Sequence, residues 1–179
     1  MKKACMIVSD GFEELEMVGA YDILVRGGVS VDTFALNGSS HVAGKCGLHL
    51  ADLRPINTLN PQAYQALILP GGPHYAALKS SARVKELILD FYNAGKVLGA
   101  ICASPTILGE MGLLKGKKYT CFTSMNADFG GCFTADYATI DGNLVTGKSA
   151  AAAVDFGLAL VEKLCGKETA DQVKESIYY

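Results

Sequence analysis

The chain has 179 residues, of which 50% are hydrophobic and 19% are charged, a composition typical of a globular domain with one filled core. A net charge of −2, with no basic cluster and no Trp, argues against a nucleic-acid partner. The apolar runs are much shorter than the roughly 20 residues that cross a bilayer, so no membrane partner is expected.

The N-terminal segment MKKACMIVSDGFEE has two lysines and a short apolar run, as signal peptides do. The run is too short and acidic residues follow it, which favours a first strand over a signal peptide. A chain of this length and apolar content needs no disulfides, so reduced thiols and a cytoplasmic location are expected. The cysteines concerned are Cys5, Cys46, Cys102, Cys121, Cys132 and Cys165.

Strand and helix patterns alternate along the chain. In chain order we predict a strand over 3–8, a helix over 15–28 that ends at a glycine pair, and strands over 29–36 and 65–69. A helix over 80–95, a strand over 96–101 and a helix over 104–112 follow. A hairpin around Asp141–Gly142, a helix over 149–166 and a C-terminal helix complete the series.

This order predicts an α/β fold in which helices cover both faces of a mostly parallel sheet. No repeat, low-complexity tract or linker interrupts it, so a single domain over residues 1–179 is expected. Apolar residues surround most of the first helix, which indicates burial on two sides. A second subunit or the chain's own loops could supply the second side.

Three predicted strands end in turns rich in Gly, Ser, Asp or Cys, at residues 9–16, 71–74 and 102–104. Ligands bind at the carboxyl ends of the strands in open α/β sheets, so these turns are expected to form one crevice.

Cys102 lies where the strand over 96–101 meets the following helix. The positive end of a helix and its free N–H groups favour a thiolate, which predicts a pKa below the ordinary value of about 8.5. The turn also resembles a nucleophile elbow. From this segment alone, a reactive thiol and a core cysteine both remain open.

Two other turns bear on that choice. In LPGG, the N–H groups of Gly71 and Gly72 could approach a developing oxyanion. In SDGFEELE, one of Glu13, Glu14 and Glu16 could exchange a proton with the thiol. Acidic residues also favour any first helical turn, so a purely structural role stays open for all three.

The positions of the histidines bear on which classes of cysteine enzyme are compatible with the sequence. The three histidines, His41, His49 and His74, all precede Cys102, which disfavours proteases and amidotransferases with a downstream histidine. His74 could reach the crevice or face solvent at a helix start. His41, Cys46 and His49 lack metal-site spacing, and no GxGxxG or Walker loop occurs, so no metal or nucleotide is expected.

With these residues assembled, the chain resembles the ThiJ/PfpI family of the class I glutamine amidotransferase-like superfamily. The similar segments are DGFEELEMVGAYDILVRGGVSV, LILPGG, GAICASPTILGEMGLLKGKKYT, GNLVTGKSAAAAVDFGLALVEKLCGKE and the terminal IYY. The resemblance implies a flavodoxin-like three-layer sandwich, usually a homodimer, that works without a cofactor. Asp22 and Arg26 match family positions near the dimer interface.

The resemblance also implies residue roles. Cys102 would be the oxidation-prone nucleophile, and Glu16 the protonated acid that hydrogen-bonds it. Gly71 or Gly72, with the amide of Ala103, would stabilise an oxyanion or a sulfinate oxygen.

Three positions depart from family patterns. Ala103 replaces the histidine of protease-like subgroups, so peptidase activity is not expected. Phe122 falls where one branch has a pocket histidine, which indicates a bacterial-type member. The family's partner-subunit arginine falls at Lys45 or Cys46.

The resulting hypothesis is a cysteine-dependent glyoxalase or deglycase acting on small reactive carbonyls such as methylglyoxal, or on glycated adducts. The alternative is a non-catalytic redox sensor or stress chaperone in which Cys102 is oxidised to a sulfinic acid. The sequence leaves the physiological substrate open. It also leaves open whether Cys46, Cys121 or Cys132 resolves an oxidised Cys102.

Overall fold

A computed structural model describes residues 1–179. The strands are β1 Lys3–Val8, β2 Ser30–Ala35, β3 Val42–Ala43, β4 His49–Leu50, β5 Arg54–Pro55, β6 Ala66–Leu69, β7 Val97–Ile101, β8 Lys118–Tyr119, β9 Cys132–Phe133, β10 Ala138–Asp141 and β11 Leu144–Gly147. The helices are α1 Glu14–Arg26, α2 Tyr75–Ser80, α3 Ala82–Asn93, α4 Pro105–Glu110, α5 Ala153–Cys165 and α6 Lys167–Ser176.

Seven strands form the central sheet in the order β10-β11-β7-β6-β1-β2-β5. Only the β10–β11 pair is antiparallel, and the other neighbours pair in parallel. Two short pairs lie outside it, the antiparallel β3–β4 hairpin and the parallel β8–β9 pair. The predicted mostly parallel α/β sheet is therefore confirmed.

Two hydrophobic clusters fill the spaces on either side of the sheet. Side chains of β1 alternate between them, with Met6 in one and Ile7 in the other. The first cluster includes the buried faces of α1, α5 and α6, and the second those of α2, α3 and α4. This is the predicted three-layer arrangement, with helices on both faces.

The inner face of α1 packs closely on α5. A Cβ atom at Gly157 would lie 2.7 Å from Cβ of Ile23, so only glycine allows the two helices to approach this closely. The outer face of α1 is exposed in the single chain: Leu15, Val18 and Val25 are 63%, 42% and 48% exposed. The chain's own loops therefore do not cover the second side of α1 that was predicted to be buried.

The predicted elements are present, with differences at their ends. The hairpin strands run through Asp141 and resume at Leu144, so its turn residues are Gly142 and Asn143 instead of Asp141 and Gly142. The helix predicted over 149–166 begins with a 3-10 turn, Ala150–Ala152, before α5. Helix α2 and the short strands β3, β4, β5, β8 and β9 were not predicted. Their segments are too short for a periodic pattern to emerge.

Candidate active site

The three turns predicted to share a crevice do come together at the carboxyl ends of β1, β6 and β7. The carbonyl of Pro70, after β6, accepts a hydrogen bond from Ser104 Oγ at 2.6 Å and lies 2.9 Å from His74 Nε2. The amide of Ser9, after β1, donates to His74 Nδ1 at 3.2 Å. These bonds tie the three loops into one unit.

His74 is a structural link in this unit. The residue is 2% exposed, so the alternative that His74 faces solvent at a helix start is wrong. Because Nδ1 accepts from Ser9, the ring proton lies on Nε2, which donates to Pro70. Burial lowers the pKa of His74 to about 4, which keeps the ring neutral at physiological pH. With both nitrogens occupied, it is not placed to serve Cys102 as a base.

Cys102 occupies a strained position between β7 and α4. Its φ is +64°, one of three positive values among non-glycine residues in the chain. Such a conformation costs about 1–2 kcal/mol for an L residue and needs surrounding support. The amide of Cys102 donates to Gly147 O at 2.9 Å, and its carbonyl accepts from the amide of Phe122 at 2.8 Å. These two bonds hold the partly buried cysteine in the predicted elbow.

Glu16 faces Cys102 from α1. Its side chain is 1% exposed, and Oε2 accepts from the amide of Gly71 at 2.9 Å while Oε1 has no other partner. Burial raises the pKa of Glu16 and the Cys102 side chain lowers it, so the carboxyl lies close to the thiol. A Cβ atom on Gly71 would lie 2.6 Å from Cys102 Cβ and would overlap Glu16, so this contact requires glycine.

Two backbone amides lie near the sulfur, where the sequence predicted an anion-binding site. Burial and the charge of Glu16 raise the pKa of Cys102, while the backbone N–H groups of Ala103 and Gly72 lower it, so both amides lie near the sulfur. The N–H of Gly71 donates to Glu16, which leaves Gly72 as the glycine whose N–H has no such partner near the sulfur. Gly72 has φ +101°, and a Cβ atom there would lie 2.7 Å from Gly11 O.

Burial governs the ionisation of the pair. It raises the pKa of Glu16 to about 7, against the hydrogen bond from Cys102. Burial, followed by the negative charge of Glu16, raises the pKa of Cys102 to about 12. The predicted acidification of the thiol is therefore wrong while Glu16 is ionised. Helix α4 has only six residues, and the two amides do not offset these effects. While Glu16 is ionised, its charge favours the protonated thiol of Cys102.

Lys45 and the other early carboxylates surround Glu16. Glu13 caps α1 by accepting from the amide of Glu16 at 2.9 Å, and Lys45 Nζ lies 3.8 Å from Glu13 Oε1. Glu14 points away and accepts from the amide of Cys46 at 2.6 Å, which anchors the β3–β4 hairpin. Of the three candidate acids, only Glu16 contacts the thiol.

Sequence reasoning missed Ser104 and the backbone groups of Gly147 and Phe122 as supports of the elbow. Ser104 lay in the predicted crevice turn over 102–104, but its bond to Pro70 was not predicted. Gly147 and Phe122 act through backbone atoms, which leave no side-chain signature.

The chain matches the model of the DJ-1/PfpI family over residues 2–163. It belongs to that family. Protein dj-1beta of Drosophila melanogaster is 31% identical over 98% of this chain and 96% of its own length. The crystal structure of Drosophila melanogaster DJ-1beta superposes with a TM-score of 0.91 at 29% identity, covering 99% of this chain and 97% of that one.

A further relative carries an enzymatic name, glutathione-independent glyoxalase DJR-1.2 of Caenorhabditis elegans. It is 30% identical over 87% of this chain and 84% of its own length. The DJ-1 match confirms the fold class expected from the sequence. No helix of the structure is long and apolar enough to cross a membrane.

Proposed function

We propose that the protein is a cofactor-independent glyoxalase or deglycase that acts on small reactive carbonyls, such as methylglyoxal or glycated adducts. The observation that carries this proposal is the position of the buried Glu16 carboxyl beside Cys102, where a Cβ atom at Gly71 would overlap both side chains. The glyoxalase name of the Caenorhabditis elegans relative supports the same reaction class.

The first step adds the thiol to the aldehyde. Proton transfer from Cys102 to Glu16 yields a thiolate beside a neutral acid and leaves the total charge of the pair unchanged. The sulfur attacks the aldehyde carbon, a C–S bond forms, and the carbonyl electron pair moves to oxygen. The amides of Gly72 and Ala103 receive this oxyanion, and Glu16 returns the proton to give a hemithioacetal.

The second step moves hydrogen within the adduct. The carboxylate of Glu16 removes the proton from the former aldehyde carbon and delivers it to the neighbouring ketone oxygen, which gives an enediol. Glu16 then takes the hydroxyl proton of the sulfur-bearing carbon and delivers it to the neighbouring carbon, which leaves a thioester of the hydroxy acid. One carbon is oxidised and its neighbour reduced, so no external oxidant is required. Water cleaves the thioester, which releases lactate and restores the thiol.

Lactate formation from methylglyoxal without glutathione tests this proposal. We expect Cys102→Ser to lower turnover at least about 100-fold while preserving the fold. Cys132→Ser, which removes an exposed cysteine, is the matched control and should leave turnover unchanged. Unchanged turnover in Cys102→Ser would refute the proposal.

A redox sensor or stress chaperone remains the second candidate, because the same amides and Glu16 would stabilise a sulfinate. Two equivalents of peroxide would each transfer one oxygen atom to Cys102 and leave as water. Intact mass after mild peroxide is the test. A gain of two oxygen atoms at Cys102, with no glyoxalase activity in the reduced protein, would favour the sensor.

We also propose that the protein is a cytoplasmic homodimer that pairs through the outer face of α1. Leu15, Val18 and Val25 form an exposed apolar stripe there, and all six thiols are free. Asp22 and Arg26 form an ion pair on the same helix at 2.7 Å. Light scattering should give a dimer for the wild type and a monomer for Val18→Asp. A dimeric variant would contradict this interface.

A further inference from the structure

A pocket of about 380 Å³ adjoins the elbow. It is lined by Phe122, Thr123, Ser124, Lys148 and Ser149. Its two sides are chain segments that hold Cys102. The amide of Phe122 donates to the carbonyl of Cys102, and Gly147, which accepts from the amide of Cys102, directly precedes Lys148. One wall therefore contains a residue bonded to the backbone of Cys102, and the other directly follows such a residue.

Phe122 is the exposed aromatic side chain in this pocket. Of the seven phenylalanines, it alone is exposed, at 43%, and it belongs to neither hydrophobic cluster. Its contribution to the elbow comes from its backbone amide, which any residue but proline would supply. The exposed part of the ring gains nothing from folding, but it offers a binding surface to an apolar ligand.

We propose that this pocket receives the substituent of the carbonyl compound that Cys102 attacks, and that Phe122 selects aromatic α-oxoaldehydes over methylglyoxal. The inference rests on the proposed function and names its substrate class. The volume accommodates a phenyl ring, and a phenylalanine ring packs on another ring edge-to-face or offset. Phe122 offers no side-chain hydrogen bond, so it favours an apolar substituent.

The one charged residue that lines the pocket, Lys148, is compatible with this assignment. Lys148 Nζ donates to the carbonyl of Ala135 at 3.3 Å. The ammonium group is thereby held by the backbone, and the aromatic ring of Phe122 provides the apolar surface.

The test compares phenylglyoxal with methylglyoxal. The wild type should have the higher kcat/KM for phenylglyoxal, and Phe122→Ala should lower the ratio of the two kcat/KM values about tenfold. Phe122→Leu, which keeps an apolar side chain, should lower it less. Tyr92→Ala removes an exposed aromatic side chain outside this pocket and should leave the ratio unchanged. An unchanged ratio in Phe122→Ala would overturn the proposal.

A second measurement separates this proposal from the proposed function. The rates at which N-benzyl iodoacetamide and iodoacetamide alkylate Cys102 require no turnover. Their ratio should also fall about tenfold in Phe122→Ala. If neither glyoxal is converted but this ratio falls, the proposed function is refuted and the pocket stands. If the alkylation ratio does not change, the pocket assignment is refuted whatever the enzyme converts.

Discussion

Burial of two separate groups, His74 and Glu16, makes the stability of the protein depend on pH. The pKa of His74 falls from an ordinary value of 6.5 to about 4 in the folded chain. As the pH falls below 6.5, His74 becomes protonated in the unfolded chain but stays neutral in the native protein. Stability is therefore lost progressively down to pH 4. At about 1.4 kcal/mol per pKa unit, the loss amounts to about 3 kcal/mol.

Glu16 has the opposite effect. Its pKa rises from 4.5 to about 7, so the native carboxyl keeps a proton that the unfolded chain releases. Its stabilisation is fully present below pH 4.5 and is lost as the pH rises through 7, again by about 3 kcal/mol. Between pH 4.5 and 6.5 the contributions of the two groups to wild-type stability therefore nearly cancel.

Single variants expose each contribution. In Glu16→Gln the amide oxygen can still accept from Gly71, and we expect its stability to fall by about 3 kcal/mol, relative to the wild type, between pH 7 and 4.5. In His74→Gln the relative stability should rise by a similar amount over the same range. Free energies of unfolding in urea at four or five pH values measure both. Curves of both variants parallel to the wild type would refute the burial argument.

Two further variants test the backbone around the site. Gly72→Ala should destabilise the chain by about 2 kcal/mol more than Gly166→Ala, measured by urea unfolding. Both glycines have positive φ, but only at Gly72 would a Cβ atom meet backbone, 2.5 Å from the amide nitrogen of Glu13. Equal losses would contradict this steric reasoning. Glu14→Ala should raise the hydrogen-exchange rate of the Cys46 amide at least about tenfold, because that amide loses its acceptor; an unchanged rate would contradict the anchoring role.

The architecture could be predicted from local patterns. Strands such as β1 and β7 are continuous apolar runs, and α3 has a regular apolar spacing with a serine cap at Ser81. The first helix also indicated burial on two sides, and the outer apolar face of α1 is exposed in the single chain. The two-residue strands could not be predicted because their pairing depends on distant contacts, such as the clamp of Glu14 on the β3–β4 hairpin.

The site was predictable to the level of loops and candidate residues. The carboxyl ends of β1, β6 and β7 brought Glu16, Gly72 and Cys102 together. The pKa of the thiol was predicted in the wrong direction, because burial and a like charge depend on the tertiary structure and outweigh a short helix. The role of His74 was likewise hidden, since its partners are backbone groups of two other loops.

The most direct test of the central claim measures kcat for methylglyoxal in Glu16→Gln alongside the rate of Cys102 alkylation. If Glu16 moves the proton, kcat should fall at least about 100-fold, while Cys102 remains alkylated by iodoacetamide. Glu86→Gln, on the exposed face of α3, is the matched control and should retain kcat. Wild-type kcat in Glu16→Gln would contradict the account.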